Sequence, residues 1–460
     1  MTIEIQFLGA ARYVTGSKHL LRINGKKVLL DCGMVQGPRA MANKANSELP
    51  EEILDVDAVV LSHAHIDHSG SLPRLVKMGY AGDIYCTHAT KDLTEILLYD
   101  SAHIQAQDAK YLRKKHRDGF QPPYDEDDVR ETVEQLRGKG YNEEFEVIPG
   151  VRCEFYDAGH ILGSAMVVLR IDDGGRELRI AFTGDHGRKA LPVLRSPARL
   201  PEVDVLLTES TYGDRLHDPA PDLQAELGKI VNQEMEDGGR ILIPAFSVGR
   251  TQNVVYFLGN LIAEGAIPKL PIYVDSPLST KATKILASYP ELYDEETRAI
   301  LASGRRPFLF EGCRYVASVE ESKSLNSLRS GIIIAASGMC ESGRIIHHLK
   351  QSIGHKRDTV LAVGYMADGT LGRRLVDGVK EVRLFGEEFQ VRCQVRSMRG
   401  LSAHADYKEI LENLDHLKKS VKQVFVVHGE EPQALKMAER LHDAGFRDVA
   451  VPVHRQKFEL

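Results

Sequence analysis

The 460-residue chain lacks any uninterrupted apolar stretch of the roughly 18 residues that a membrane-spanning helix needs, so no membrane partner is expected. Its opening, MTIEIQFLGA, has no basic segment followed by an apolar core, and no secretory signal is expected from it. Cysteine is sparse. Cys32, Cys86, Cys153, Cys313, Cys340 and Cys393 are scattered without a C-x-x-C pair, which argues against a disulfide framework and predicts a reducing compartment, the cytoplasm. A basic excess is missing as well. The formal net charge is −6, so attraction to a nucleic acid would have to come from local patches or a bound metal. One basic run, KYLRKKHRDG at Lys110–Gly119, reads first as a solvated helix face.

What is present fits a globular α/β chain of two domains, with 43% hydrophobic and 27% charged residues. The N-terminal part predicts short strands at IEIQFLG, HLLRI, KVLLDCG and DAVVLSH, separated by turn residues. A helix is expected over SLPRLVKMG, another from Thr90 to about Arg117, and a polar one ending near Gly140. Strands resume at VRCEFYDAGH, SAMVVLRI, LRIAFTGDH and VDVLLTEST. After Tyr212 the pattern changes to strand-then-helix units, which predicts a parallel, right-handed layer. Beyond about Arg396 the earlier style returns. A second domain inserted into a first is the expected organisation, with boundaries at 1–208, 209–396 and 397–460.

The chemistry concentrates in LSHAHIDHSG. His63 and His65 stand two apart at a strand end and project to one side, and Asp67 and His68 follow in the turn. Imidazole nitrogen and carboxylate oxygen suit zinc and its first-row neighbours, and a bound divalent ion relieves the repulsion among crowded histidines. Four more residues at strand ends are candidates to complete such a site: His160 in DAGHILGS, Asp185 in FTGDHG, His404 in SAHAD and His428 in VVHGE. Singly, each is also an ordinary polar residue at a strand end.

HAHIDH, His160 and the TGD of Asp185, in that order, resemble the metallo-β-lactamase superfamily. TESTYGDR, IPAFSVGRTQ, SGMCESGR, GYMADGTLGRRL, LSAHADY and VVHGEE narrow the resemblance to its β-CASP branch of nucleic-acid-processing nucleases. The likeness is to bacterial and archaeal ribonucleases related to the endonuclease subunit of the pre-mRNA cleavage and polyadenylation factor, and it covers essentially the whole chain. No KH module before the N-terminus and no long C-terminal extension are expected. The resemblance implies a metallo-β-lactamase αββα sandwich with an inserted α/β β-CASP domain of parallel strands. It implies two Zn2+ per chain, or Mn2+ in their place. One is assigned to His63, His65, His160 and Asp185; the other goes to Asp67, His68, His428 and a bridging Asp185. Asp31 matches a supporting aspartate, and Glu209 and His404 match the acid and histidine that pair across the family's two domains. A histidine at 428 favours RNA, since DNA-repair members tend to carry valine there.

The activity so implied is hydrolysis of single-stranded RNA by a two-metal mechanism, endonucleolytic with 5′-to-3′ exonuclease action as a second mode. Asp67, Glu209 and His404 are its expected catalytic residues. His404, with an ordinary pKa of ~6.5, is the candidate acid for the leaving oxygen and Glu209 its orienting partner. The inserted layer ends its strands in small residues before helix N-termini, which suit phosphate oxygens. Ser247, Arg250, Ser276, Ser337 and Gly338 are therefore expected along the RNA path, although ordinary turns would look the same. A small-molecule hydrolase and a non-catalytic RNA-binding subunit are the competing readings, and a homodimer stays open. The inserted stretch of nearly 190 residues argues against the former and the complete ligand set against the latter.

Overall fold

Apolar residues at every second position build the first of two compact units, which comprises Met1–Ala190, Ser196–Leu216 and His404–Leu460. The computed structural model describes residues 3–37, 39–114, 121–172, 174–175, 177–189, 191–217, 222–236, 238–398 and 400–460. Within this unit one seven-stranded sheet runs in the order Lys457–Glu459, Ile3–Gly9, Lys18–Ile23, Lys26–Leu30, Ala58–Val60, Ile84–Thr87, Leu136–Lys139. The second runs Val449–Ala450, Gln423–Val426, Val205–Thr208, Glu177–Phe182, Ala165–Asp172, Val151–Asp157, Glu144–Ile148.

The alternation sorts side chains into layers. Ile5, Phe7, Leu21, Val28, Leu30 and Val60 of the first sheet cluster with Phe155, Val167, Ile180, Leu207 and Phe425 of the second. Their neighbours Leu20, Leu29 and Val59 face away and meet Leu72 and Leu75 of helix Leu72–Lys77. On the outer side of the second sheet, Val168, Leu206 and Val424 meet Ile410 and Leu414 of helix Tyr407–Leu414 and Met437 and Leu441 of helix Glu431–Asp443. The result is the helix–sheet–sheet–helix sandwich that the motifs imply. Each such fully buried Leu, Ile or Phe stabilises the fold by about 1.5–3 kcal/mol.

The second unit, Leu191–Arg195 and His217–Ala403, holds a six-stranded sheet. Its order is Cys313–Tyr315, Ile272–Val274, Gly331–Ala335, Arg240–Pro244, Thr359–Val363, Gln394–Met398, with every neighbouring pair parallel. The run GIIIA at Gly331–Ala335 is buried throughout, as a strand covered on both faces must be. Among the described residues, no helix is long and apolar enough to cross a membrane.

Some expectations need correction. The polar helix stops at Gln135, and Leu136–Lys139 instead forms an edge strand paired with Ile84–Thr87. The long helix spans His88–Lys114; the rest of the basic run, from residue 115, lies outside the described residues.

Candidate metal centre

Every site candidate in the first unit follows a strand or a turn between strands. His63, His65, Asp67 and His68 come after Ala58–Val60, with Asp67 and His68 in the short helix Ile66–Ser69. His160 follows Val151–Asp157, Asp185 follows Glu177–Phe182, Glu209 follows Val205–Thr208 and His428 follows Gln423–Val426. Gly184 makes the turn before Asp185 (φ +53°), and a Cβ there would meet Ser62 Cβ at 2.8 Å. This position requires glycine.

The side chains converge in two sets. His63 Nε2 lies 3.1 Å from His65 Nδ1, which lies 3.3 Å from His160 Nε2. Asp185 Oδ2 stands 3.4 Å from both His63 Nε2 and His160 Nε2. In the other set, His68 Nε2 is 3.1 Å from His428 Nε2, and the latter is 3.5 Å from Asp67 Oδ2. Asp185 Oδ1 is 3.2 Å from His68 Nε2 and 3.3 Å from His428 Nδ1. One carboxylate thus turns one oxygen to each set.

The donor chemistry fits divalent cations. Four donors about 2.0–2.1 Å from a tetrahedral ion stand about 3.3–3.4 Å from each other, close to these separations. Asp185 Oδ1 is buried with two imidazole nitrogens, of His68 and His428, beside it, a crowded arrangement of donor atoms that a cation would organise. Burial drives His65 down to about 3, and it also lowers His63 and His160, so all three present lone pairs. Burial works against ionising Asp185, but the surrounding histidines outweigh it and hold the carboxyl well below its ordinary range.

Asp31 fixes ring orientation rather than joining the donors. It accepts from His68 Nδ1 at 2.6 Å, from Ser62 N–H at 2.7 Å and from Ser62 Oγ at 3.0 Å. With Nδ1 so held, His68 aims Nε2 at Asp185, the usual carboxylate–histidine arrangement behind a metal.

Glu209 and His404 adjoin the first set. His404 Nδ1 is 3.1 Å from each Glu209 oxygen and 3.9 Å from Asp185 Oδ2. Glu209 also accepts from the N–H of His186 at 2.6 Å and of Thr211 at 3.3 Å. Burial opposes charging His404, but Glu209 and Asp185 prevail and raise it to about 9. Contrary to the expected pairing across domains, both residues belong to the first unit. His404 is held there by its bridge to Gly187, and Ser210, next to Glu209, donates its N–H to His428 O.

The residues expected along an RNA path belong to the second unit, at the carboxyl ends of neighbouring strands. Ser247 Oγ lies 3.2 Å from Ser276 Oγ, which caps helix Pro277–Ala287 by accepting from Ser279 N–H. Ser337 Oγ accepts from the N–H groups of Glu341 and Ser342. Gly338 packs closely against Phe246, where a Cβ would come within 3.0–3.1 Å of two ring carbons and the backbone nitrogen. Arg250 donates to the Val363 carbonyl.

Residues 16–245 match the metallo-beta-lactamase superfamily, residues 251–375 the Beta-Casp domain, and residues 388–452 the Zn-dependent metallo-hydrolase RNA specificity domain. Ribonuclease TTHA0252 of Thermus thermophilus is 37% identical over 438 residues, 94% of each chain. The chain belongs to the β-CASP branch of the metallo-β-lactamase superfamily. It is a metal-dependent hydrolase of that family. The transcription termination factor FttA of Methanocaldococcus jannaschii is 33% identical over 98% of this chain and 71% of its own. A crystal structure of a protein of unknown function from Enterococcus faecalis V583 agrees with TM-score 0.56 at 13% identity, covering 100% of both chains, and bears on the fold alone.

For this β-CASP protein the structure adds a residue that the sequence reading passed over. Lys18 is 5% exposed, and its ammonium donates to Gly33 O and, at 3.4 Å, to Gly16 O. Burial lowers its pKa. Gly33 is packed so tightly that a Cβ there would lie 1.6 Å from Asp67 O, and Ser17 N–H donates to that same oxygen at 2.8 Å. Lys18 therefore braces the loop that presents Asp67. Lys18→Met keeps the stem and removes the donor. Metal held with Asp67, His68 and His428 is then expected to be released at roughly 10–100-fold lower chelator concentration. Metal content after graded dialysis checks this; release identical to the wild type would refute the bracing role.

Proposed function

We propose that the chain is a zinc-dependent ribonuclease that hydrolyses phosphodiester bonds of single-stranded RNA. It cuts internally, with 5′-to-3′ exonucleolytic trimming as a second mode, and serves RNA processing or decay in the cytoplasm. The observation that carries this reading is the Asp185 carboxylate shared between two donor sets, with the His404–Glu209 pair beside one of them. The ribonuclease named among the relatives and the RNA specificity domain matched over residues 388–452 support the substrate.

In this reading His63, His65, His160 and Asp185 hold one ion, and Asp67, His68, Asp185 and His428 hold the other. When bound, such ions offset phosphate charge and lower the pKa of a water towards ~7. The chain's own residues do the rest. Asp31 keeps His68 in the tautomer that turns Nε2 to the site. Glu209 engages Nδ1 of His404, so the proton for the leaving oxygen travels on Nε2. With the 3′ oxygen as the leaving group, as the family resemblance implies, water adds to phosphorus and the products carry a 5′-phosphate and a 3′-hydroxyl. Ser247, Arg250, Ser276, Ser337 and Gly338 are proposed to guide the RNA backbone.

Matched single-stranded RNA and DNA oligonucleotides, labelled at the 5′ end, test the proposal. Internal cuts in RNA, absent from DNA and abolished by a chelator, are expected. Stepwise release of mononucleotides would make trimming the main mode. If neither nucleic acid is cut after zinc is restored, the proposal fails and a small-molecule hydrolase becomes the working reading.

A further inference from the structure

In the second unit, strand Arg240–Pro244 leads through helix Arg250–Ala263 to Ile272–Val274 on one side of the sheet. Its neighbour Thr359–Val363 leads through helix Leu371–Val376 to Gln394–Met398 on the other. Connections leaving adjacent parallel strands in opposite directions open a crevice beyond their carboxyl ends, where open α/β sheets bind ligands.

Two aromatic rings stand at that point. Phe246 follows the first strand and is 44% exposed; Tyr365 follows the second and is 48% exposed. The strands pair with Ile241 opposite Thr359 and Leu242 opposite Val360, so the two residues follow their strands at nearly the same level. Phe246 is held by its neighbours. A Cβ on Gly338 would come within 3.0 and 3.1 Å of its ring carbons, and Thr251 donates to its carbonyl through both N–H and Oγ1. Arg250 spans the two strand ends by donating to Val363 O, two residues before Tyr365. Half-exposed aromatic side chains near a guanidinium and a helix N-terminus suit one ligand class, a base with its adjoining phosphate.

We propose that Phe246 and Tyr365 form a stacking platform for bases of single-stranded RNA. The proposal rests on the ribonuclease reading and adds to it a subsite that grips bases irrespective of sequence. Stacking needs only a π-face, so the platform tolerates any base and excludes paired ones.

The test uses metal-loaded full-length protein and a 2′-O-methyl oligonucleotide of about 12 residues, a length within the ~4–16 nucleotides typical of single-strand sites. This oligonucleotide resists cleavage. A single 2-aminopurine, whose fluorescence is quenched by stacking, is placed at each position in turn. Quenching at one or two positions is expected in the wild type. Combined Phe246→Leu and Tyr365→Leu should weaken binding roughly 5- to 150-fold, abolish that quenching and leave the salt dependence unchanged. Combined Phe246→Tyr and Tyr365→Phe should restore both affinity and quenching. If the leucine variant keeps its quenching, or the aromatic variant loses as much as the leucine one, the platform is overturned. If the leucine variant keeps its affinity while a dimer seen by sedimentation dissociates, the rings are a contact between copies and the platform is again overturned. A wild type that binds no single-stranded RNA would instead overturn the ribonuclease reading itself.

Discussion

Replacing His404 by alanine is expected to lower the turnover of the metal-loaded enzyme on RNA by about 10²–10⁴-fold, the range for loss of a positioned general acid. Affinity for RNA should hold, because the loss falls on a proton needed only as the bond breaks. The size of the effect follows from how firmly the ring is held. Its Nδ1 sits 3.1 Å from both oxygens of a fully buried glutamate, itself fixed by two backbone N–H groups. Glu209→Gln keeps the shape and removes the charge, so a smaller loss of roughly 10–100-fold is expected. Single-turnover cleavage alongside equilibrium binding separates the two quantities. A His404→Ala enzyme that turns over within about twofold of the wild type would remove this residue from the chemistry.

Asp185→Asn should do something that loss of any other donor does not. Because Oδ2 faces one donor set and Oδ1 the other, asparagine removes the shared charge from both at once. Metal affinity is expected to fall at both by at least the roughly 10–100-fold that loss of a mere supporting residue costs. His65→Ala, by contrast, disturbs one set only, since its ring lies against His63 and His160. Metal analysis after dialysis should therefore recover well under one ion per chain from the first variant and about one from the second. Two ions retained by Asp185→Asn would dispose of the shared carboxylate. Activity should vanish in both variants, so it is the stoichiometry that discriminates.

Legibility in the sequence depended on distance along the chain. HAHIDH carries four donors in six positions and announces itself. His160, Asp185 and His428 are lone residues after strands, and only their resemblance to a family's motif order joins them. Thr211, whose hydroxyl lies 3.2 Å from His428 Nδ1, and Lys18 carry no signal, because their importance comes from contacts made across the fold. A lysine opening a strand reads as a solvated flank, and nothing local reveals that its ammonium reaches the carbonyls of Gly16 and Gly33. The fold behaves the same way. Continuous apolar runs such as RILIP and GIIIA were plain, whereas Cys313–Tyr315 and Gln394–Met398 at the sheet edges are short, partly polar and hidden. Leu136–Lys139 contains glycine at 138 and follows a helix without a break. Pairing with Ile84–Thr87 decides its conformation where propensity does not.

The first unit closes on itself late, since Lys457–Glu459 pairs with Ile3–Gly9 and the donors after residue 403 follow a long excursion into the second unit. A ribosome delivers His63 to Asp185 early and His428 only some two hundred and forty residues later. At about 5–20 residues per second that is a delay on the order of 10–50 s. During it the growing chain can gather one donor set but lacks His428, the last donor of the other, and the His404 acid. The shared carboxylate is therefore in place well before the last donor and the acid that stand beside it.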